Sequence, residues 1–185
     1  MITLKEVYTS PNFGKPNSRG EYEIRSDCKS FVLLVDDVEV VNISLEYERF
    51  ESTKPNYSCV YITYNNKYFN KESKYNNKGY TTIALQQVTE MLLKSGKVPR
   101  ISLDILPDNL PSKRIATKVG YTYMNNNTYS IFHPDALKMY EEGLEYLKKE
   151  DPEIYELQMR KYMLFYKKYI ASLQSNNNTD FTMQP

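Results

Sequence analysis

Two apolar-rich runs, Ser30 to Val35 and Glu39 to Tyr47, flank the polar pair Asp36-Asp37, and their β-branched and aromatic content predicts a hairpin. A further extended run is predicted from Tyr57 to about Tyr64, with Cys59, Tyr61 and Thr63 on one face and Val60, Ile62 and Tyr64 on the other. The period then changes. Between Gly79 and Lys94, Ala84, Val88, Met91 and Leu92 recur at helical spacing, and Gly96 is a natural stop. "RISLDI", Arg100 to Ile105, predicts a strand between Pro99 and Pro107. The segment that follows predicts a short helix capped by Asp108 or Asn109, with Pro111 in its first turn, Ile115, Ala116 and Val119 facing inward, and Gly120 ending it. The order strand, helix, strand implies parallel pairing of the Tyr57 and Arg100 strands with the long helix as crossover. The asparagine run 125–127 suits the corner of a final hairpin.

After Pro134 the pattern is purely helical. Leu137, Tyr140, Leu144 and Leu147 form one stripe; Tyr155, Met159, Tyr162, Tyr166, Ile170 and Leu173 form a second beyond Pro152. The expected organisation is a mixed α/β domain over 1–133, a helical hairpin over 134–174 and a disordered tail over 175–185. Two helices alone bury too little surface to offset the ordering of the chain, so the stripes require a partner outside the hairpin. Packing against the domain, a homodimer, or the acceptor side of a cleft can supply it.

Composition narrows the function classes. The chain has 185 residues, 41% hydrophobic and 25% charged, with a formal charge of +1, so no global field recruits nucleic acid or an anionic membrane. No run approaches the roughly 20 apolar residues that cross a bilayer, and the N-terminus shows no basic segment followed by an apolar one. A cytoplasmic protein is expected. Two cysteines and one histidine, none at metal-ligand spacing, give neither a disulfide framework nor a structural zinc site, and no metal is expected.

The chemistry concentrates in "NNKGYTT", where Gly79 stands at the start of the long helix. Two readings apply. A glycine there permits close helix-strand packing, or it lets the amides of Asn77, Lys78, Gly79, Tyr80, Thr81 and Thr82 converge on an anion at a helix end, with Lys78 adding a mobile charge.

Taken with "ISLDILPDNLPSKRIATKVGYTY", this loop resembles the GNAT acetyltransferase superfamily, in particular the branch related to ribosomal-protein and diamine N-acetyltransferases. The family's acyl-CoA signature, Arg or Gln, two residues, Gly, one residue, Gly or Ala, aligns with Asn76 to Thr81 and places its glycine at Gly79. Asn109, Ser112, Lys118, Gly120 and Tyr121 match its following Asn-x-x-Ser helix and closing Lys-x-Gly-aromatic segment. Asn76, Thr81 and Ile83 depart from the usual residues. The resemblance implies a twisted mixed sheet with flanking helices, opened between the Tyr57 and Arg100 strands. Acetyl-CoA would lie there, against the backbone of Tyr61, Ile62 and Thr63, with its pyrophosphate on Asn77 to Thr82 and Asn109 facing its pantetheine arm.

The implied reaction is direct transfer of an acetyl group to an amine of a small molecule or protein. It requires deprotonation of the ammonium, stabilisation of the carbonyl oxygen and protonation of the departing thiolate. Glu46 and Glu48 are the candidates for a water-mediated base. Ser112, Tyr121 and Tyr123 are the candidates for the acid. The departures at Asn76, Thr81 and Ile83 leave a second reading: a module that binds acyl-CoA without turnover.

Overall fold

In the computed structural model, residues 1–7, 28–50 and 57–179 are described. They form a seven-stranded sheet in the order β1-β2-β3-β4-β5-β7-β6. The predicted hairpin is β2 (Cys28–Val35) and β3 (Val38–Arg49), and Asp36 and Asp37 both take positive φ, 50° and 62°, the primed-turn geometry that matches strand twist. β1 (Ile2–Val7) pairs antiparallel with β2 and was not expected, since its exposed apolar and charged residues carry only a short alternation. β4 (Tyr57–Asn66) lies antiparallel to β3 and parallel to β5 (Arg100–Asp104), with α1 (Tyr80–Ser95) as the crossover between them.

α2 (Leu110–Val119) starts where Asn109 Oδ1 accepts a hydrogen bond from the Ser112 amide at 3.1 Å. It stops at Gly120, whose φ of 103° is left-handed. β6 (Thr122–Asn125) and β7 (Thr128–Phe132) then close a hairpin around Asn126 and Asn127, both at positive φ. β7 inserts between β5 and β6.

The two sheet faces differ in chemistry. Leu45, Val60, Ile62, Ile101 and Leu103 point into a large apolar core shared with Ala84, Leu85 and Val88 of α1 and Ala116 of α2. The opposite face, read from the register pairs Glu48↔Cys59, Tyr61↔Ser102 and Ser102↔Ser130, is lined by polar residues.

The lower part of that polar face is covered by the C-terminal helices. The first limb of the expected hairpin is broken into α3 (Ala136–Gly143) and α4 (Leu147–Glu150), and the second is one long helix, α5 (Pro152–Thr179). α5 thus extends past the expected limit of the helical segment, and residues 180–185 lie outside the described ones. Tyr140, fully buried, stacks on Tyr162 at 3.9 Å between ring centroids, and both meet Phe50 edge-on. Phe132, Met124, Leu144 and Tyr169 complete this second core, and Tyr155, Met159, Tyr166 and Ile170 pack on its border. Most of the two apolar stripes therefore finds its partner in the sheet of the same chain, while Leu173 stays exposed. Among the described residues no helix is long and apolar enough to cross a membrane.

Gly143 marks the tightest contact of this layer, because a Cβ there would stand 2.3 Å from the Phe50 ring. Gly143→Ala is expected to lower stability by about 1–3 kcal/mol, the usual cost of overpacking. Phe50→Leu in the same background should recover part of it. Denaturant midpoints of the parent and the variants measure both effects.

Candidate active site

The parallel pairing of β4 and β5 is confined to Val60↔Ile101 and Tyr61↔Ser102. Beyond those pairs the strands diverge, and a cleft of about 820 Å³ opens between them. Its walls include Tyr47, Ile62, Tyr64 and Leu103 from the apolar side, and Glu46, Glu48, Tyr61 and Asp104 from the polar side. Since successive strand residues point to opposite faces, the cleft passes through the sheet and opens on both. Asn109 and Ser112, at the start of α2, border it on the α1 side.

The start of α1 is shaped by backbone conformation. Gly79 takes φ 76° and Asn77 φ 55°, and no atom stands within 4 Å of where a Cβ on Gly79 would be. Close packing therefore does not explain the glycine. The left-handed angle does, and the space before it is open. The first helical bond runs from the Ile83 amide to the Gly79 carbonyl at 3.1 Å, so the amides of Tyr80, Thr81 and Thr82 lack intrahelical acceptors.

The unusual residues of this loop are absorbed by packing. Thr81 is buried and its Oγ1 accepts from Asn66 Nδ2 at 3.0 Å, tying the end of β4 to the start of α1. Ile83 packs on the core, and Asn76 Nδ2 donates to the Lys71 carbonyl at 3.1 Å. None of these side chains displaces the amides.

Glu46 and Glu48, on adjacent same-face positions of β3, both line the cleft. Glu48 Oε2 stands 3.7 Å from Nη2 of Arg100, whose Nε donates to the Cys59 thiol at 3.3 Å. Cys59 is fully buried; burial pushes its thiol up, against the pull of Arg100. Tyr61 borders the same side, and burial pushes its hydroxyl up to about 12, which keeps it a donor at neutral pH. Tyr64 Oη donates to the Ser112 carbonyl at 3.5 Å, linking β4 to the first turn of α2.

The cleft thus gathers Glu46, Glu48, Tyr61, Ile62, Thr63, Asn109 and Ser112. Asn77 to Thr82 stand outside its lining, in the loop between the end of β4 and α1. Tyr121 and Tyr123 stand elsewhere. Tyr121 is buried beneath α1 with its Oη 2.7 Å from Thr89 Oγ1, since the residue after Gly120 must turn back into the core. Tyr123 stands half-exposed on the edge strand β6, paired with Tyr129, whose ring lies beside its own, and near Lys168 Nζ. Neither lines the cleft.

Tyr61, Tyr64 and Asp104 are cleft residues that sequence reasoning did not assign as acid, base or acceptor contacts. Tyr61 could have been found from its shared strand face with Glu46; the Asp104 position emerges only from the divergence of β5. Among the described residues, no three His, Cys, Asp or Glu side chains are grouped so as to hold a metal ion.

Residues 35–122 match the family profile described as acetyltransferase (GNAT) domain. Over these residues the chain carries a GNAT-superfamily acetyltransferase fold. Solved structures similar to it include RimL, a ribosomal L7/L12 alpha-N-protein acetyltransferase in complex with coenzyme A, at 16% identity and TM-score 0.44, covering 57% of this chain and 62% of that one. A ribosomal-protein-S5-alanine acetyltransferase from Vibrio fischeri is similar at 17% identity and TM-score 0.45, over 59% of this chain and 63% of that one. The aminoglycoside acetyltransferase AAC(6')-Ib in complex with coenzyme A is similar at 14% identity and TM-score 0.45, over 60% and 69%. The chain thus spans less than two thirds of the first two structures. No curated protein matches it.

The buried Tyr121-Thr89 pair gives a direct check on the placement of Tyr121. Tyr121→Phe is expected to lower stability by about 1 kcal/mol, the net worth of one buried hydrogen bond. Thermal unfolding measures that loss.

Proposed function

We propose that this chain is a cytoplasmic acetyl-CoA-dependent N-acetyltransferase acting on a primary amine of a small molecule or a protein. The observation that carries the proposal is the cleft through the sheet, which gives donor and acceptor separate entrances that meet between β4 and β5. Ligands of α/β sheets characteristically sit where neighbouring strand connections diverge.

The residues fit the donor. The left-handed backbone at Asn77 and Gly79 and the open space before Gly79 suit a pyrophosphate held by the amides through Thr82, with Lys78 as an added cation. The inner edge of β4 from Tyr61 through Ile62 and Thr63, which loses its β5 partner beyond Tyr61, suits the amide groups of a pantetheine arm, and Asn109 faces it across the cleft. When bound, acetyl-CoA supplies an acetyl thioester.

The remaining work falls to side chains. On the polar face Glu48 or Glu46, through a water, takes the proton of the acceptor ammonium, and Tyr61 orients the amine as a neutral donor or acceptor. On the α2 side the Ser112 hydroxyl donates to the departing sulfur. The three carboxylates Glu46, Glu48 and Asp104 favour the approach of a cation.

The test has two stages. Calorimetry should detect acetyl-CoA binding, and Gly79→Asp should weaken it by about tenfold or more, because an anion then meets the phosphates at the helix end. Release of free CoA thiol with a panel of amines should then follow in the parent, falling ~100-fold in Glu46→Gln or Glu48→Gln, whichever removes the base. Equal affinity in folded Gly79→Asp would overturn the donor site. Tight binding with no release for any amine would favour the acyl-CoA-binding module suggested by Asn76, Thr81 and Ile83.

A further inference from the structure

We infer that Arg100 is a positioning residue for Glu48 and that, through Phe165, helix α5 fixes the acceptor side of the cleft. The inference rests on the acetyl-transfer reading above and adds a dependence that the family profile, ending at residue 122, does not reach.

Arg100 begins β5 on the polar face, with its side chain only 12% exposed. Three contacts define its guanidinium. Nε donates to Cys59 Sγ at 3.3 Å, Nη2 faces Glu48 Oε2 at 3.7 Å, and the group lies over the Phe165 ring of α5 at 5.9 Å from its centroid. The thiol is itself anchored, donating to Ser102 Oγ at 3.3 Å, which stands 2.9 Å from Ser130 Oγ. The cation therefore sits on a rigid polar seam running across β4, β5 and β7.

Arginine does not lose its proton in a protein, so this seam holds a permanent buried charge. A thiol is a weak acceptor and an aromatic face compensates only part of such a charge. The carboxylate of Glu48 is the compensating anion, and leaving a buried charge without its partner is strongly unfavourable. Glu48, 52% exposed and on the cleft wall, is thereby held in one orientation instead of sweeping through solvent. Phe165 holds the guanidinium from the other side. Helix α5 thus acts on the acceptor side without itself lining the cleft.

The experiment is a double-mutant cycle on the full-length chain, read as kcat and KM with an amine identified by the thiol-release panel. Arg100→Met is expected to lower kcat about tenfold, within the coupling range of charged groups in one network, while KM for acetyl-CoA stays within twofold. In a Glu48→Gln background the same substitution should have no further effect on kcat. Arg100→Lys, which keeps the charge, should recover most of the loss.

Phe165→Leu carries the same cycle from α5, and serves if Arg100→Met does not fold. Its kcat should fall several-fold with Glu48 present and be unchanged without it. A fall of equal size in both backgrounds would overturn the inference, as would parent-like kcat in the folded variants. Absence of turnover in the parent with every amine would overturn the acetyl-transfer reading itself, whereas parent turnover that is indifferent to Arg100 and Phe165 overturns only this dependence.

Discussion

The structure depends on the loss of pairing between two parallel strands. β4 and β5 keep register at Val60↔Ile101 and Tyr61↔Ser102 and then part, although β4 continues to Asn66. A strand edge left unpaired in an interior is costly unless something supplies its missing partners. Here the gap is wide enough for a ligand, and the chain places two helix starts beside it: α1 at the end of β4 and α2 at the end of β5. The Asn66-Thr81 and Tyr64-Ser112 hydrogen bonds tie both helix starts to the same strand, so the opening is braced from the α1 side.

Much of this was legible in the sequence because local chemistry and packing agree there. The period change at Gly79, the Asn109 cap and the left-handed Gly120 each have one dominant structural solution, and the elements appear within a residue or two of their expected limits. Gly79 shows why a sequence could leave two explanations open: packing and backbone conformation both ask for glycine, and only the empty space where a Cβ would stand separates them. Tyr121 shows the opposite case. A motif position fixes where a residue stands along the chain, but the turn at Gly120 decides which way its ring points, and here it points under α1 to Thr89.

The partner of the C-terminal helices stayed open in the sequence for a related reason. Helical periodicity shows that a stripe must be buried, but says nothing of what buries it. The sheet offers a surface that alternation alone did not reveal, because Phe50, Met124 and Phe132 come from three separate segments and meet only after β7 inserts beside β5. Tyr140 enters that surface fully buried, its ring stacked on Tyr162 and meeting Phe50 edge-on. The same layer presses Phe165 toward Arg100, so the packing that stabilises the extension also reaches the cleft wall.

The central claim, that donor and acceptor meet in the opening between β4 and β5, is tested most directly by a crystal structure of the complex with coenzyme A. The account predicts a pantetheine arm lying along Tyr61 to Thr63, a pyrophosphate on the amides of Asn77 to Thr82, and a thiol ending within reach of Ser112 with Glu48 on the far side of the sheet. Coenzyme A bound elsewhere on the molecule, or with its thiol directed away from the polar face, would contradict it.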